Sequence, residues 1–312
     1  MIAFVYDKNH PDKLVRKNIE QQSSKEEEVL VKIYAVSLNA ADYRSMKMGI
    51  IPKRKIFGAD IAGRVEAIGS KVRNLKVGDD VYGDISGCGF GGFAEYVAVP
   101  EGVLARKPKG ITYEMAAALP MASVTALQAI RNKGEMKQGD KVLICGAGGG
   151  VGYFAVQLAK YFGAEVTAVC SENNTILIQE LGADHIINYK LQDFSTEGKR
   201  YDLVIGINGD YLMSSYRKVM ASGSRFILVG GSLSQMLRFL ISKLFLFMGR
   251  RRLHFLAAKP NTKDLELVMK LVETGQLKIV LDRTYPFEQT AEAMKYISKG
   301  HARGKVVIRV VN

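Results

Sequence analysis

Residues 141–171 read KVLICGAGGGVGYFAVQLAKYFGAEVTAVCS, and this stretch decides the fold. The apolar run Val142 to Cys145 predicts a buried strand, the turn Ala147-Gly-Gly149-Gly150-Val151-Gly152 follows at once, and Val166 to Cys170 predicts a second strand. Between them Val151, Phe154, Ala155, Leu158, Ala159 and Phe162 keep the i, i+3, i+4, i+7 spacing of a helix with one buried face. Gly163 ends that helix. A strand that turns on glycines into a helix aims backbone N–H groups and the positive helix end at one point, as a pyrophosphate requires. Gly149 lets the backbone approach phosphates and Gly152 lets the helix pack close to the sheet, with Ala147 in place of the usual first glycine. The segment therefore reads as a dinucleotide-binding βαβ unit; its competitor is a structural turn without a ligand.

The remaining chain suits an enzyme of this kind. Its 312 residues allow two domains, each able to bury a core. No apolar run reaches membrane-spanning length, and the first residues lack the order of a signal peptide. Cys88, Cys145 and Cys170 are too dispersed for a disulfide framework, so a reduced, cytoplasmic protein is expected. A net charge of +13 would attract nucleic acid, anionic membrane or an acidic ligand. Lys and Arg are scattered, apart from Lys53-Arg54-Lys55 and Arg250-Arg251-Arg252, and no zinc-finger or RNA-binding signature accompanies them. No nucleic-acid partner is expected.

Composition shifts along the chain set the organisation. The first 120 residues hold short β-type runs between Gly and Asp, as in a barrel-like or sandwich β domain. From about residue 121, helix and strand alternate as in a doubly wound, mostly parallel sheet: Ser123 to Arg131, Ile176 to Leu181, Leu203 to Ile207, Met213 to Met220, Arg225 to Val229. After Pro260 come helices at Leu265 to Thr274 and Glu288 to Ser298, then a closing strand from Lys305.

An ordered series of short motifs carries a family resemblance. It runs through Leu38-Asn-Ala-Ala-Asp42, Gly58-Ala-Asp60-Ile-Ala-Gly63, Val77-Gly-Asp79-Asp-Val-Tyr-Gly83, Gly91-Gly-Phe-Ala-Glu95, Ala118-Leu-Pro120, Thr125-Ala, Ala147 to Gly152, Leu181-Gly-Ala-Asp184 and Gly300-His-Ala-Arg-Gly304-Lys305. The chain resembles the medium-chain dehydrogenase/reductase superfamily and, within it, the zinc-independent quinone oxidoreductase or zeta-crystallin-like branch. The resemblance implies an α/β fold: a GroES-like β-barrel catalytic domain (1–120), a doubly wound Rossmann domain (121–259) and a return to the catalytic domain (260–312), with the active site in the cleft between.

Zinc-dependent members supply Cys near the position of Asn39 and His where this chain has Ala59 in Gly58-Ala59-Asp60. Neither ligand is present, and the four clustered cysteines of a structural zinc lobe are missing too. No metal is expected. Without a Lewis acid to stabilise an alkoxide, reduction of an already electrophilic quinone or α,β-unsaturated carbonyl is favoured.

The resemblance also implies site residues. Asn39, Asp42 and Tyr43 would line the nicotinamide cleft; Tyr43 is a proton donor or plain packing, and Asp42 a functional group or a turn residue. Cofactor contacts would come from Thr125, otherwise a helix cap, and from Ala147, Gly149, Gly150, Val151, Gly152, Ile207, Val229, Gly230 and Lys305. Ser171 and Tyr189 match the 2′-phosphate contacts of NADPH-dependent members. Glu172-Asn173-Asn174 stands where a Lys is common, with Asn174 as a further contact. NADPH is expected over NADH.

Residues 235–252 read QMLRFLISKLFLFMGRRR, a helix too apolar to be left bare. It would line the substrate pocket as a lid, pack in a homodimer, or lie on an anionic membrane as an interfacial helix. Residues Met236 to Met248 are expected to be buried against the active-site cleft or a partner subunit, with Arg250 to Arg252 facing solvent or phosphate. The leading expectation is an NADPH-dependent reductase of small apolar quinones or enones. An enoyl-thioester or carbonyl reductase, an alcohol dehydrogenase, and a non-catalytic NADPH-binding sensor or adaptor are the alternatives.

Overall fold

The computed structural model describes residues 1–10, 12–207, 211–231, 233–246 and 251–311. The chain opens with β1 (Ile2–Tyr6), β2 (Leu14–Asn18), β3 (Glu28–Leu38), α1 (Ala40–Lys47), β4 (Asp60–Ile68), β5 (Asp80–Asp84), β6 (Tyr96–Pro100) and β7 (Leu104–Arg106). Then come α2 (Tyr113–Ala117), α3 (Pro120–Leu127), β8 (Lys141–Cys145), α4 (Gly150–Tyr161), β9 (Glu165–Cys170), α5 (Thr175–Glu180) and β10 (His185–Asn188). It continues through β11 (Tyr201–Ile207), α6 (Met213–Val219), β12 (Met220–Val229), α7 (Leu233–Leu246) and β13 (Arg252–Leu256). Last are α8 (Thr262–Glu273), β14 (Leu281–Pro286), α9 (Thr290–Ser298) and β15 (Lys305–Arg309). The fold divides into two compact units: Met1–Val124 with Lys259–Glu273 and Ile279–Asn312, and Thr125–Ala258 with Thr274–Lys278.

The first unit is built on β3, whose β-branched residues Val29, Val31, Ile33 and Val36 are fully buried. β3 pairs antiparallel with β4, β6 and β15, in a sheet of order β14-β15-β3-β4-β5-β7. Phe57, Ile61, Phe93, Val306 and Ile308 complete its core. The C-terminal strand thus lies directly on an N-terminal one, Val306 opposite Leu38. This is the GroES-like unit.

In the second unit every strand pair is parallel, and the order is β10-β9-β8-β11-β12-β13. That is the 3-2-1-4-5-6 order of a Rossmann sheet, with its switch point between β8 and β11. Val142, Leu143, Ile144 and Cys145 are all buried because helices cover both faces of such a sheet. Their unbroken apolar run follows from that.

Local differences from the sequence reading have physical causes. The helix expected over Ser123 to Arg131 begins at Pro120, a residue suited to a first turn, and passes into a π-helical turn over Gln128–Lys133. β12 begins at Met220, five residues before the expected strand, because α6 feeds it without a loop. The segment from residue 235 divides: α7 ends at Leu246, 247–250 lie outside the described residues, and Arg252 opens β13.

Within the chain itself the described part of Met236 to Met248 is covered on one side only. Phe239 enters the core with Phe226 and Leu253, whereas Leu237 and Leu240 are each 59% and Ile241 48% exposed. Arg251 is corrected: it does not face solvent freely, since its guanidinium donates to the carbonyls of Met220 (3.2 Å) and Ala221 (3.4 Å). Among the described residues no helix is long and apolar enough to cross a membrane.

Candidate functional site

In the second unit the chain leaves β8 through Gly146, with φ +86, and enters α4 behind Gly149. A Cβ on Gly146 would lie 2.1 Å from the Ile207 carbonyl oxygen, so the turn presses on the end of β11 at the switch point. At Gly152 a Cβ would lie 2.2 Å from the Gly146 oxygen; this glycine lets the helix close on its own turn. Gly149 is different. Its Cβ would meet nothing nearer than 3.6 Å. The N–H groups of Gly150, Val151 and Gly152 open the helix and have no carbonyl within it to bind.

Ser171 directly follows β9, and Asn174 donates from Nδ2 to Ser171 Oγ at 3.1 Å. The Asn174 side chain packs on the glycine turn: a Cβ at Gly148 would lie 2.4 Å from its Nδ2. Asn174 Oδ1 is buried without a partner. Tyr189 follows β10 and is half exposed, and Glu172 is exposed. Ala147, Ile207 and Val229 are buried, and Gly230 leaves β12 with φ +63. A nucleotide fits this set: open space at Gly149, unused helix N–H groups, and an orphaned amide oxygen beside a hydroxyl. Thr125 lies inside α3 and is buried, which removes helix capping as its role. Asn208, Gly209 and Ser232 lie outside the described residues.

The first unit holds a buried polar cluster. Asn39 precedes α1, and Asp42, in its first turn, accepts from the backbone N–H of Asn39 (2.8 Å) and of Gly58 (3.1 Å). Asp42 is therefore a helix-start lock. Asn39 Nδ2 donates to Asp60 Oδ2 at 2.9 Å, and the other Asp60 oxygen accepts from Met121 N at 3.0 Å. Lys305 donates to Asn39 Oδ1 at 2.5 Å and to the Leu38 carbonyl at 3.3 Å, with Asp60 Oδ2 at 3.6 Å. Expected as a cofactor contact, Lys305 instead directs its ammonium into this cluster. Tyr43 packs against the core with the Arg44 guanidinium 5.7 Å from its ring, which favours the packing reading.

Burial governs the protonation of these groups. Asp42 is pushed up to about 6 by loss of water, against the two backbone donors that favour its charge. Desolvation raises Asp60 to about 7, with the Lys305 charge pulling back. Asp84, at the end of β5, is raised for the same reason and accepts from Ser86 N at 2.8 Å. Lys305 is lowered by burial and held up by the carboxylates around it. Asp84 also borders a small cavity with Val103, Pro120, Val124 and Leu265.

Sequence reading missed Asp60 as a partner of Asn39, and Lys305 as the cation beside both. The only signal available was that a charged residue opened each of two strands and stood directly before an apolar run, Ile61-Ala and Val306-Val-Ile.

A model of the alcohol dehydrogenase GroES-like domain matches residues 25–109, and one described as a zinc-binding dehydrogenase matches residues 181–308. The donor set does not fit zinc: Asn39 offers an amide, Ala59 nothing, and an ammonium stands beside Asp60. Among the described residues no three His, Cys, Asp or Glu side chains converge as metal ligands. The chain is 35% identical over 298 residues to the chloroplast envelope quinone oxidoreductase homolog of Arabidopsis thaliana, covering 91% of this chain and 90% of that one. It is 33% identical, over an alignment of 325 residues, to the chloroplastic NADPH-dependent alkenal/one oxidoreductase of the same plant, covering 99% and 79%. Among solved structures, the quinone oxidoreductase from Coxiella burnetii matches with a TM-score of 0.90 at 30% identity, covering 100% and 99%.

Proposed function

We propose a function from one premise: the chain belongs to the medium-chain dehydrogenase/reductase superfamily and stands with its quinone oxidoreductases. It is an oxidoreductase that uses a nicotinamide cofactor. The substrate is a small apolar quinone or α,β-unsaturated carbonyl, the cofactor NADPH, and the chemistry needs no zinc. One observation carries this reading, the open Gly149 turn at the switch point of a 3-2-1-4-5-6 sheet. β9 is followed by Ser171 rather than by an acidic residue, which supports NADPH, as does the name of the alkenal/one relative.

When bound, the nicotinamide supplies a hydride to substrate carbon. One proton from solvent completes the product, so an enone becomes a saturated ketone as NADPH becomes NADP⁺. This chain's residues hold the phosphates and the carbonyl and exclude water. A second copy of the chain is the proposed partner covering Leu237, Leu240 and Ile241, and a cytoplasmic location belongs to the same reading.

The test is turnover of 1,4-benzoquinone and of a 2-alkenal with NADPH and with NADH. The reading expects NADPH oxidation matched mole for mole by alkenal reduction. Tight NADPH binding with no turnover of either substrate would make the chain a sensor instead.

A further inference from the structure

Between Lys305 and Asp60 stands the side chain of Asn39. Its Oδ1 accepts from the ammonium at 2.5 Å, and its Nδ2 donates to the carboxylate at 2.9 Å. An ammonium only donates and an ionised carboxylate only accepts. Turning the amide over would set its NH₂ against the ammonium and its carbonyl against the carboxylate. The orientation of an Asn side chain is ordinarily inferred from its surroundings. Here the ammonium, which cannot accept, permits one answer.

That orientation leaves a donor over. The amide has two N–H bonds, and Asp60 takes one. Asn39 keeps an 8% exposed edge, while Asp42 and Asp60 have none and Lys305 only 2%. The cation is therefore closed off from a substrate, and Asn39, the residue it orients, keeps more surface than the ammonium does.

We propose that Lys305 is a positioning residue: it fixes the Asn39 amide so that the second N–H faces the oxygen on which negative charge collects as the substrate accepts hydride. The inference rests on the reductase reading above. A donor held in advance stabilises that charge with no reorganisation during the reaction. The other ionisable groups facing the ammonium are Asp60 on β4, Asp42 on α1 and Asp84 on β5. With three carboxylates against one ammonium, removing Lys305 leaves Asp60 to take up a proton. A protonated Asp60 both donates and accepts, so either orientation of Asn39 then satisfies it.

The experiment uses the full chain in three forms: wild type, Lys305→Met, and Lys305→Met combined with Asp60→Asn. The double variant removes both members of the ion pair, an exchange that a buried pair tolerates far better than loss of one partner. Both variants should lower kcat by about a hundredfold, the scale of a lost oxyanion donor. NADPH affinity should stay within about twofold, because the cofactor's proposed residues lie elsewhere.

A merely structural role for Lys305 predicts otherwise, namely recovery of kcat together with stability in the double variant. That recovery would overturn the proposal. A second readout does not need turnover: the Asn39 side-chain amide, observed by selective ¹⁵N-Asn labelling and assigned by its absence in Asn39→Asp. Its NH₂ should exchange slowly in wild type and at least about tenfold faster in both variants, as loss of a fixed hydrogen bond requires. Equal exchange in all three forms would refute the positioning role. A wild type that shows slow exchange but reduces neither quinone nor enone would refute the reductase reading alone.

Discussion

A Cβ at Gly149 has room and one at Gly152 does not, so these two glycines separate binding from folding. Gly149 has φ −87 and ψ 173, which a β-branched residue adopts without strain. Gly149→Val should therefore fold with an unchanged melting temperature yet lose at least about tenfold in NADPH affinity, since its methyl groups fill the phosphate approach. Titration by nucleotide fluorescence decides it; full affinity in the folded variant would remove the turn from the site. Gly152→Ala should do the reverse, lowering stability by roughly 2 kcal/mol or more through overpacking. At the other end of the nucleotide, Glu172 is exposed beside Ser171 and Asn174. Glu172→Lys should raise the preference for NADPH over NADH by about tenfold through a charge-assisted contact. Dissociation constants for both nucleotides in both proteins test this.

At the scale of elements, α7 buries Phe239 and leaves Leu237, Leu240 and Ile241 outward, an i, i+3, i+4 apolar face on the protein surface. Replacing Leu237 and Leu240 with Ser should convert a dimer to a monomer in sedimentation at unchanged melting temperature. Loss of liposome binding without a change of mass would assign the face to membrane instead. The helix was legible in the sequence as a run of apolar residues, but which side is covered was not: continuous hydrophobicity carries no phase. β13 was hidden for a related reason. Arg251 and Arg252 read as a solvated basic cluster, while Arg251 binds the carbonyls of Met220 and Ala221 and Arg252 begins a strand. The strand–turn–helix at Cys145 to Tyr161 was fully legible because glycine spacing and helical periodicity are both local.

The Asn39 cluster was not legible for the opposite reason. Lys305 meets Asn39 across 266 residues, and no spacing rule reaches that far. For the whole molecule this cluster sets a pH response. Asp42 holds its proton up to about 6 when folded, against an ordinary value of 3.8, so between those limits the native chain keeps a proton that the unfolded chain has released. Stability from this group is complete below 3.8 and declines as pH rises through about 6, by about 3 kcal/mol in all. Against desolvation, Asp80, Asp184 and Glu114 are lowered by their Arg or Lys partners and hydrogen bonds, and act oppositely, losing their contribution as pH falls below their ordinary values of 3.8 for Asp and 4.5 for Glu. Denaturant midpoints should fall between pH 4 and 7 in wild type and fall less in Asp42→Asn. Parallel slopes would show that Asp42 stays ionised.

The pairing of β15 with β3 also fixes an order of assembly. Every strand of the parallel sheet lies between residues 141 and 256, whereas β3 at residues 28–38 awaits a neighbour whose first residue is 305. A ribosome releases that neighbour after all of those strands, so the nascent β3 waits with its edge open at Ala35 to Leu38 and the pocket of Asn39 without its ammonium, while the glycine turn already has all its strands. Distant pairings close slowly even in the complete chain. In refolding followed by pulsed hydrogen exchange, amides of Leu143 and Ile144 should gain protection before those of Val36 and Ser37. Competence for nucleotide would then precede competence for reduction, and a half-made protein would hold its cofactor before it could use it.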